Sequence, residues 1–282
     1  MIIESLKNIL NQNQTQTNKA YLRNLLKESL QLYVLNFIYS SPSWRKLIFT
    51  GGTCLRRCFG LPRLSEDLDF DIEEKKINFY VFADNLRSYF KEKLQYSDLT
   101  VNFKQNQQIM FLKFPVLTLL KFANPSESDI LFVRCDFSFN QSKSFNTETS
   151  LISTYDFSFL VRNYDLSTLF ANKINAFLQR GFKKGKIQKE PFKGRDVFDL
   201  AWFIEQSQKT SWNLKPNFPR IKDLTGIKTK EELINKITNK TKRIEEEALV
   251  EDLKSFLPDV QFVKKFAKVY QSLIIQNITK VI

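Results

Sequence analysis

Three aspartates at alternate positions, Asp67, Asp69 and Asp71, follow closely on a glycine pair, Gly51-Gly52, in the stretch GGTCLRRCFGLPRLSEDLDFDI at 51–72. On an extended strand such carboxylates share one face, while Leu68, Phe70 and Ile72 point to the other. That face would be built for cations. A Gly-Gly pair after an apolar run lets backbone N–H groups approach an anion, and a helix starting behind it turns its positive end toward the same anion. Phosphate cradle and carboxylates are together what a nucleoside triphosphate and its Mg²⁺ ions need, because Mg²⁺ takes one or two carboxylates plus phosphate oxygens. An acid-alternating segment standing alone reads as a solvated edge strand; the glycines upstream favour the metal reading.

A second alternating segment, Val133-Arg134-Cys135-Asp136-Phe137-Ser138, sets Arg134, Asp136 and Ser138 on one face. Asp136 is then either a surface aspartate or the third carboxylate of a two-metal site. In the latter it would hold the ion that activates an attacking hydroxyl, while Asp67 and Asp69 bridge both ions. Within 165–180 an apolar stripe runs through Leu166, Leu169, Phe170, Ile174 and Phe177, with Lys173 and Arg180 inside or beside it. These two cations either snorkel along the core edge or face a cleft and contact triphosphate or RNA phosphate. Asp196 opens the next helix, where helix capping and the helix dipole already account for an acid. The basic run of Lys183, Lys184, Lys186, Lys189 and Lys193 is a solvated loop or, beside a cleft, an attractor for a nucleic-acid backbone with little sequence preference.

Positioning these groups requires a strand–turn–helix unit joined to a sheet. Residues 46–50 read as a short strand, 51–52 as the turn and Thr53 onward as the helix. Residues 11–18 are a polar tether, and Leu22, Leu26, Leu30, Tyr33 and Phe37 mark one buried face of a helix over 20–39 that Pro42 ends. Short β-like runs follow at 68–73, 99–104, 109–114 and 130–139, with a helical stretch near 78–94. Polar residues 140–150 read as the turn out of the sheet, 155–161 as one more strand, and 165–180, 196–206 and 230–282 as mainly helical. The expected organisation is a mixed α/β core with N-terminal helices over 1–150, and a helical domain over 151–282 that completes the active-site cleft.

Composition narrows the chemistry further. With 282 residues, 43% hydrophobic content and 27 Phe, the chain can fill a substantial core. Forty-three Lys and Arg against 30 Asp and Glu give a net charge of +13, which favours a polyanionic partner, although a lysine-rich composition also arises from codon bias. No histidine occurs, so Ser-His-Asp, Cys-His and His-ligated metal mechanisms are excluded. Cys54, Cys58 and Cys135 lack CxxC spacing and read as free thiols of a cytoplasmic protein, not as zinc ligands. Neither a cleavable leader nor a run of about 18 apolar residues is present, so a soluble protein without membrane association is expected.

Taken together, GGTCLRRCFGLPRLSEDLDFDI at 51–72, ANKINAFLQR at 171–180 and GRDVFDL at 194–200 resemble the AbiEii/AbiGii toxin family of nucleotidyltransferases, whose relatives include the MenT toxins. The resemblance implies an α/β, DNA polymerase β-like nucleotidyltransferase core with a mixed sheet and a helical C-terminal part. It implies NTP as co-substrate, Mg²⁺ or Mn²⁺ as metal, tRNA or another RNA as acceptor and a cognate antitoxin as partner. By motif, Gly51, Gly52 and Thr53 would hold triphosphate, and Ser65 and Arg180 would join them in binding nucleotide. Asp67 and Asp69 would bind metal with Asp136, and Lys173 and Asp196 would match further active-site residues. Asp71 makes Asp69/Asp71 an alternative metal pair, but the preceding Arg63-Leu64-Ser65-Glu66 favours Asp67/Asp69. The implied reaction is transfer of NMP to the tRNA 3′ end, which blocks translation and growth. Two alternatives are transfer to a protein or small-molecule hydroxyl and a non-catalytic RNA-binding role.

Overall fold

The acid–apolar alternation forms strand β2 (Asp67–Ile72), and its apolar residues explain why the strand sits where it does. Phe70 stacks on Phe49 of β1 (Ile48–Thr50) at 5.7 Å and on Phe137 of β5 (Ile130–Phe139) at 5.6 Å. These three rings form a ladder across adjacent strands, capped by Phe79 and Phe82 of a helix at Phe79–Ser88. Each fully buried ring contributes about 2–3 kcal/mol of apolar transfer, so the ladder holds β1, β2 and β5 side by side with their polar residues outward.

The computed structural model describes residues 2–73, 77–124, 126–181, 192–209 and 214–282. Among them the strands β1, β2, β3 (Thr100–Lys104), β4 (Ile109–Pro115), β5, β6 (Thr147–Ser153) and β7 (Ser158–Tyr164) make one mixed sheet in the order β3-β4-β5-β2-β1-β7-β6. β2 runs antiparallel to β1 and parallel to β5, while β4 is antiparallel to both β3 and β5. The fold is the mixed α/β class expected. The chain divides into a first unit, Met1–Asn140 with Glu148–Asn163, and a second, Gln141–Thr147 with Tyr164–Ile282.

In the first unit, helix α1 spans Ile2–Gln12 and α2 spans Lys19–Ser40. Asn18 caps α2 by accepting the Tyr21 amide at 3.1 Å, and the expected face of Leu22, Leu26, Leu30, Tyr33 and Phe37 is buried. Helix α3 (Gly51–Phe59) ends at Gly60, whose φ of 76° is the left-handed conformation suited to a helix stop. Helix α4 (Phe79–Ser88) is capped by Asn78 and continues into a π-type turn at Tyr89–Lys93. The second unit contains α5 (Leu166–Gln179), α6 (Gly194–Gln208), α7 (Phe218–Thr225), α8 (Lys230–Thr241), α9 (Glu246–Leu253) and α10 (Val260–Val281). Phe170 of α5 and Phe203 of α6 stack in parallel at 4.4 Å in its core.

Two local expectations need correction. Residues 147–150, expected within the turn at 140–150, instead open the edge strand β6; most of its side chains are exposed, so an edge position tolerates the polar composition that reads as loop. The helix expected from Thr53 begins at Gly51 itself, because Gly51 at φ 79° turns directly out of β1. The lysines Lys183, Lys184, Lys186 and Lys189 lie outside the described residues. No described helix is long and apolar enough to cross a membrane.

Candidate active site

In the first unit the three acids of β2 share one face and are half-buried, while Leu68, Phe70 and Ile72 are buried beneath them. Parallel pairing places Asp69 directly opposite Asp136, Asp67 opposite Arg134 and Asp71 opposite Ser138. Neighbouring strands lie about 4.8 Å apart, so the Asp69 and Asp136 backbones are immediate neighbours. Like charges facing each other across a ladder destabilise it, and a counter-charge already stands there. Arg134 Nε donates to Asp136 Oδ1 at 2.8 Å. Burial works against the charge on Arg134, but the hydrogen bond to Asp136 and the nearby Asp67 and Asp69 outweigh it and raise its pKa.

The glycine turn abuts these acids. A Cβ on Gly51 would stand 1.9 Å from Asp69 Oδ2 and 2.6 Å from its Cγ, so only glycine fits where the Asp69 carboxylate lies against the start of α3. Thr53 Oγ1 donates to the Asp67 carbonyl at 2.5 Å, a bond that ties the first turn of α3 to the start of β2. Thr53 is fully buried by this arrangement. A Cβ on Gly52 would meet Ser65 Oγ at 2.8 Å and Arg63 Nη2 at 2.9 Å. Both of those residues are buried, which brings a guanidinium to the positive end of α3 beside the cradle.

What holds the 63–66 segment is a buried polar stripe on α2 that the apolar spacing of that helix does not disclose. Asn24, Glu28 and Gln31 recur at steps of four and three and are all buried. Glu28 pairs with Arg56 and with Arg57 at 3.3 Å, and accepts the Ser65 amide at 3.2 Å. Gln31 donates to the Ser65 carbonyl at 3.1 Å. The polar 24/28/31 spacing was the available signal. Arg63 carried none beyond its place before the acids.

The donor set on this face is oxygen only, which suits a hard divalent cation. Asp67 and Asp69 lie on one strand face with Asp136 in register, so the residue types and order fit such an ion. As they stand, no three Asp, Glu or Cys side chains among the described residues converge into a metal-holding group. A cation at Asp136 would have to compete with Arg134. Cys135, fully buried on the opposite face, has its thiol pKa raised by burial first and by Asp136, Asp67 and Asp69 next.

The second unit holds the remaining expected residues in ion pairs. Lys173 on α5 reaches Asp199 Oδ2 on α6 at 2.7 Å, and Arg180, just past α5, pairs with Asp196 in the first turn of α6. Asp199 is fully buried and Asp196 nearly so. Neither cation snorkels alone, and Asp196 does more than cap. Asp199 lies in the GRDVFDL motif but is given no role from sequence, although its spacing of three from Asp196 puts both acids on one side of α6. Beside them Arg195 lies over the Phe256 ring at 4.1 Å, and its amide donates to Asp252 Oδ2 at 2.9 Å.

Comparisons with known proteins agree with this architecture. The family model described as "Nucleotidyl transferase AbiEii toxin, Type IV TA system" matches residues 37–272. No curated protein matches the sequence. Among solved structures, MenT4, a nucleotidyltransferase toxin from Mycobacterium tuberculosis H37Rv, is 12% identical with a TM-score of 0.55, covering 95% of this chain and 89% of its own. JHP933 from Helicobacter pylori is 18% identical with a TM-score of 0.47, over 91% of this chain and 94% of its own.

Proposed function

The chain belongs to the AbiEii nucleotidyl transferase toxin family, and on that premise we propose that it moves a nucleoside monophosphate from an NTP to an acceptor hydroxyl, the 3′ end of tRNA. The observation that carries this reading is the contact between cradle and acids: Gly51, at the positive end of α3, has no room for a side chain because the Asp69 carboxylate fills it. An anion held by the first N–H groups of α3 would lie beside Asp69, with Asp67 and Asp136 on the same face.

In the reaction, the acceptor oxygen forms a bond to the α-phosphorus as the α–β bridging bond breaks. Pyrophosphate leaves, and the hydroxyl proton passes to solvent or to a carboxylate of the site. Asp67, Asp69 and Asp136 would hold Mg²⁺ or Mn²⁺. Such an ion, when bound, supplies charge neutralisation on the phosphates and a lowered acceptor pKa. The backbone at Gly51 and Gly52 orients the triphosphate, and Arg63 adds positive charge at the same helix end. Arg134 balances the acids in the free protein and would release Asp136 on metal entry. Lys173 and Asp196 are assigned to the same reaction by their place in the family's motifs. Capping the tRNA 3′ end would block aminoacylation and so growth, and a cognate antitoxin would counter it.

Purified protein incubated with total tRNA, Mg²⁺ and each α-labelled NTP tests the reading, beside an Asp67→Ala/Asp69→Ala control. Label on tRNA that disappears in the control supports it and names the nucleotide. Label on protein instead moves the acceptor to a side-chain hydroxyl, and no label with any NTP defeats the proposal.

A further inference from the structure

The acid face of the sheet continues past β5 over β4 and β3, where its residue types change. Register sets Phe111 opposite Arg134 and Lys113 opposite Phe132, with Ile109 opposite Asp136. One strand further out, Asn102 lies opposite Phe111 and Lys104 opposite Ile109. The other face of β4 and β5, including Met110, Leu112, Phe114, Leu131 and Val133, is fully buried, so alternation turns the rings and cations outward.

There, aromatic and cationic groups interleave. Lys104 Nζ stands 5.2 Å from the Phe111 ring centre and the Arg134 guanidinium 5.9 Å from the same ring, while Lys113 Nζ is 6.0 Å from Phe132. The two rings meet edge to face at 6.5 Å, and Phe132 is 38% exposed. β3 and β4 contain no acidic residue. Rings turned outward on a sheet among cations provide what an unpaired nucleic-acid strand uses: π-faces for bases and charge for phosphates. A duplex keeps its bases stacked on one another and offers no free base to such rings.

We propose that this face is a stacking platform for an unpaired RNA strand. Phe111 and Phe132 take bases, Lys104 and Lys113 take phosphates, and the end of the strand runs toward Asp136 on β5 itself and Asp69 on β2, the latter two strands or about 10 Å from β4. The RNA identity and direction of the strand rest on the nucleotidyl-transfer reading; the platform itself rests on the residues. An acidic peptide would use the cations but has no need of two outward rings.

The test is fluorescence anisotropy of the full chain with a short, labelled, unstructured RNA, the same sequence as duplex, and the same sequence as single-stranded DNA. Phe111→Ala/Phe132→Ala is expected to bind single-stranded RNA roughly 10- to 100-fold more weakly than the unaltered chain. Phe111→Leu/Phe132→Leu retains apolar bulk without the rings, and its matching loss would separate stacking from misfolding. Unchanged binding by the leucine variant, or duplex binding as tight as single strand, overturns the proposal, and equal affinity for DNA overturns the RNA assignment. No label transfer enters this readout, so failure of the platform and failure of the transfer reaction are seen separately.

Discussion

On the sheet of the first unit, Asp67, Asp69 and Asp136 lie half-buried on one face with Arg134 among them. In the helices of the second unit, Asp196 and Asp199 are buried and each meets a cation of its own. A buried carboxylate matched in this way is part of what keeps α5 and α6 together, because removing either partner strands a charge away from water. Carboxylates facing each other at a solvent-accessible sheet surface repel, and here the guanidinium of Arg134, bonded to Asp136, stands among them. The same residue type thus serves cohesion in one region and, in the proposed reaction, ligand capture in the other.

This contrast makes opposed expectations for mutation. Asp67→Ala/Asp69→Ala is expected to lower nucleotidyl transfer by roughly 10³-fold or more while leaving the melting temperature unchanged or slightly higher; a collapse in thermal unfolding would put the acids among the structural residues. Lys173→Met should cost about 3–5 kcal/mol in urea unfolding by stranding Asp199, and Lys173→Met/Asp199→Leu should recover most of it. A single variant as stable as the unaltered chain would break the comparison from the other side.

Gly51→Ala combines a positive φ with the encroachment on Asp69 and is expected to cost about 1–3 kcal/mol, with transfer falling further than stability alone accounts for. Mg²⁺ at tenfold excess over its Kd should stabilise the unaltered chain by about 1.4 kcal/mol; the shift should vanish in the Asp67→Ala/Asp69→Ala variant and persist with Lys173→Met. The smallest effect concerns thiols. Burial first, with Cys58 and nearby acids adding, pushes the Cys54 pKa well up, and Cys135 is pushed up likewise. Neither should react with a thiol reagent at neutral pH until the protein unfolds, and early labelling of Cys135 would mean that the Phe70–Phe137 layer opens.

Much of this arrangement was legible because alternation has only one geometric meaning on a strand. The residues at 67–72 and 133–138 each declared a polar and an apolar face, and both strands formed with those faces. What no local pattern discloses is register. That Asp69 lies opposite Asp136 depends on the chain between them returning parallel to β2 through α4, β3 and β4, a long-range choice made by the Phe49–Phe70–Phe137 ladder. Strand β6 was illegible because an edge needs few apolar residues. Glu28 and Asp199 carry a fainter signal, a polar spacing with Asn24 and Gln31 in one case and with Asp196 in the other, and the partner across the interior is what gives each its role.

The exclusion of any side chain at Gly51 also has a genetic consequence. Every missense change at that codon adds atoms where the Asp69 carboxylate already lies, so the position admits no conservative allele. In a selection for cells that survive induced expression, Gly51 would behave as a wide mutational target, yielding survivors with small, large, polar and apolar replacements alike. Asp69 would yield them too, since its carboxylate occupies the space that glycine leaves.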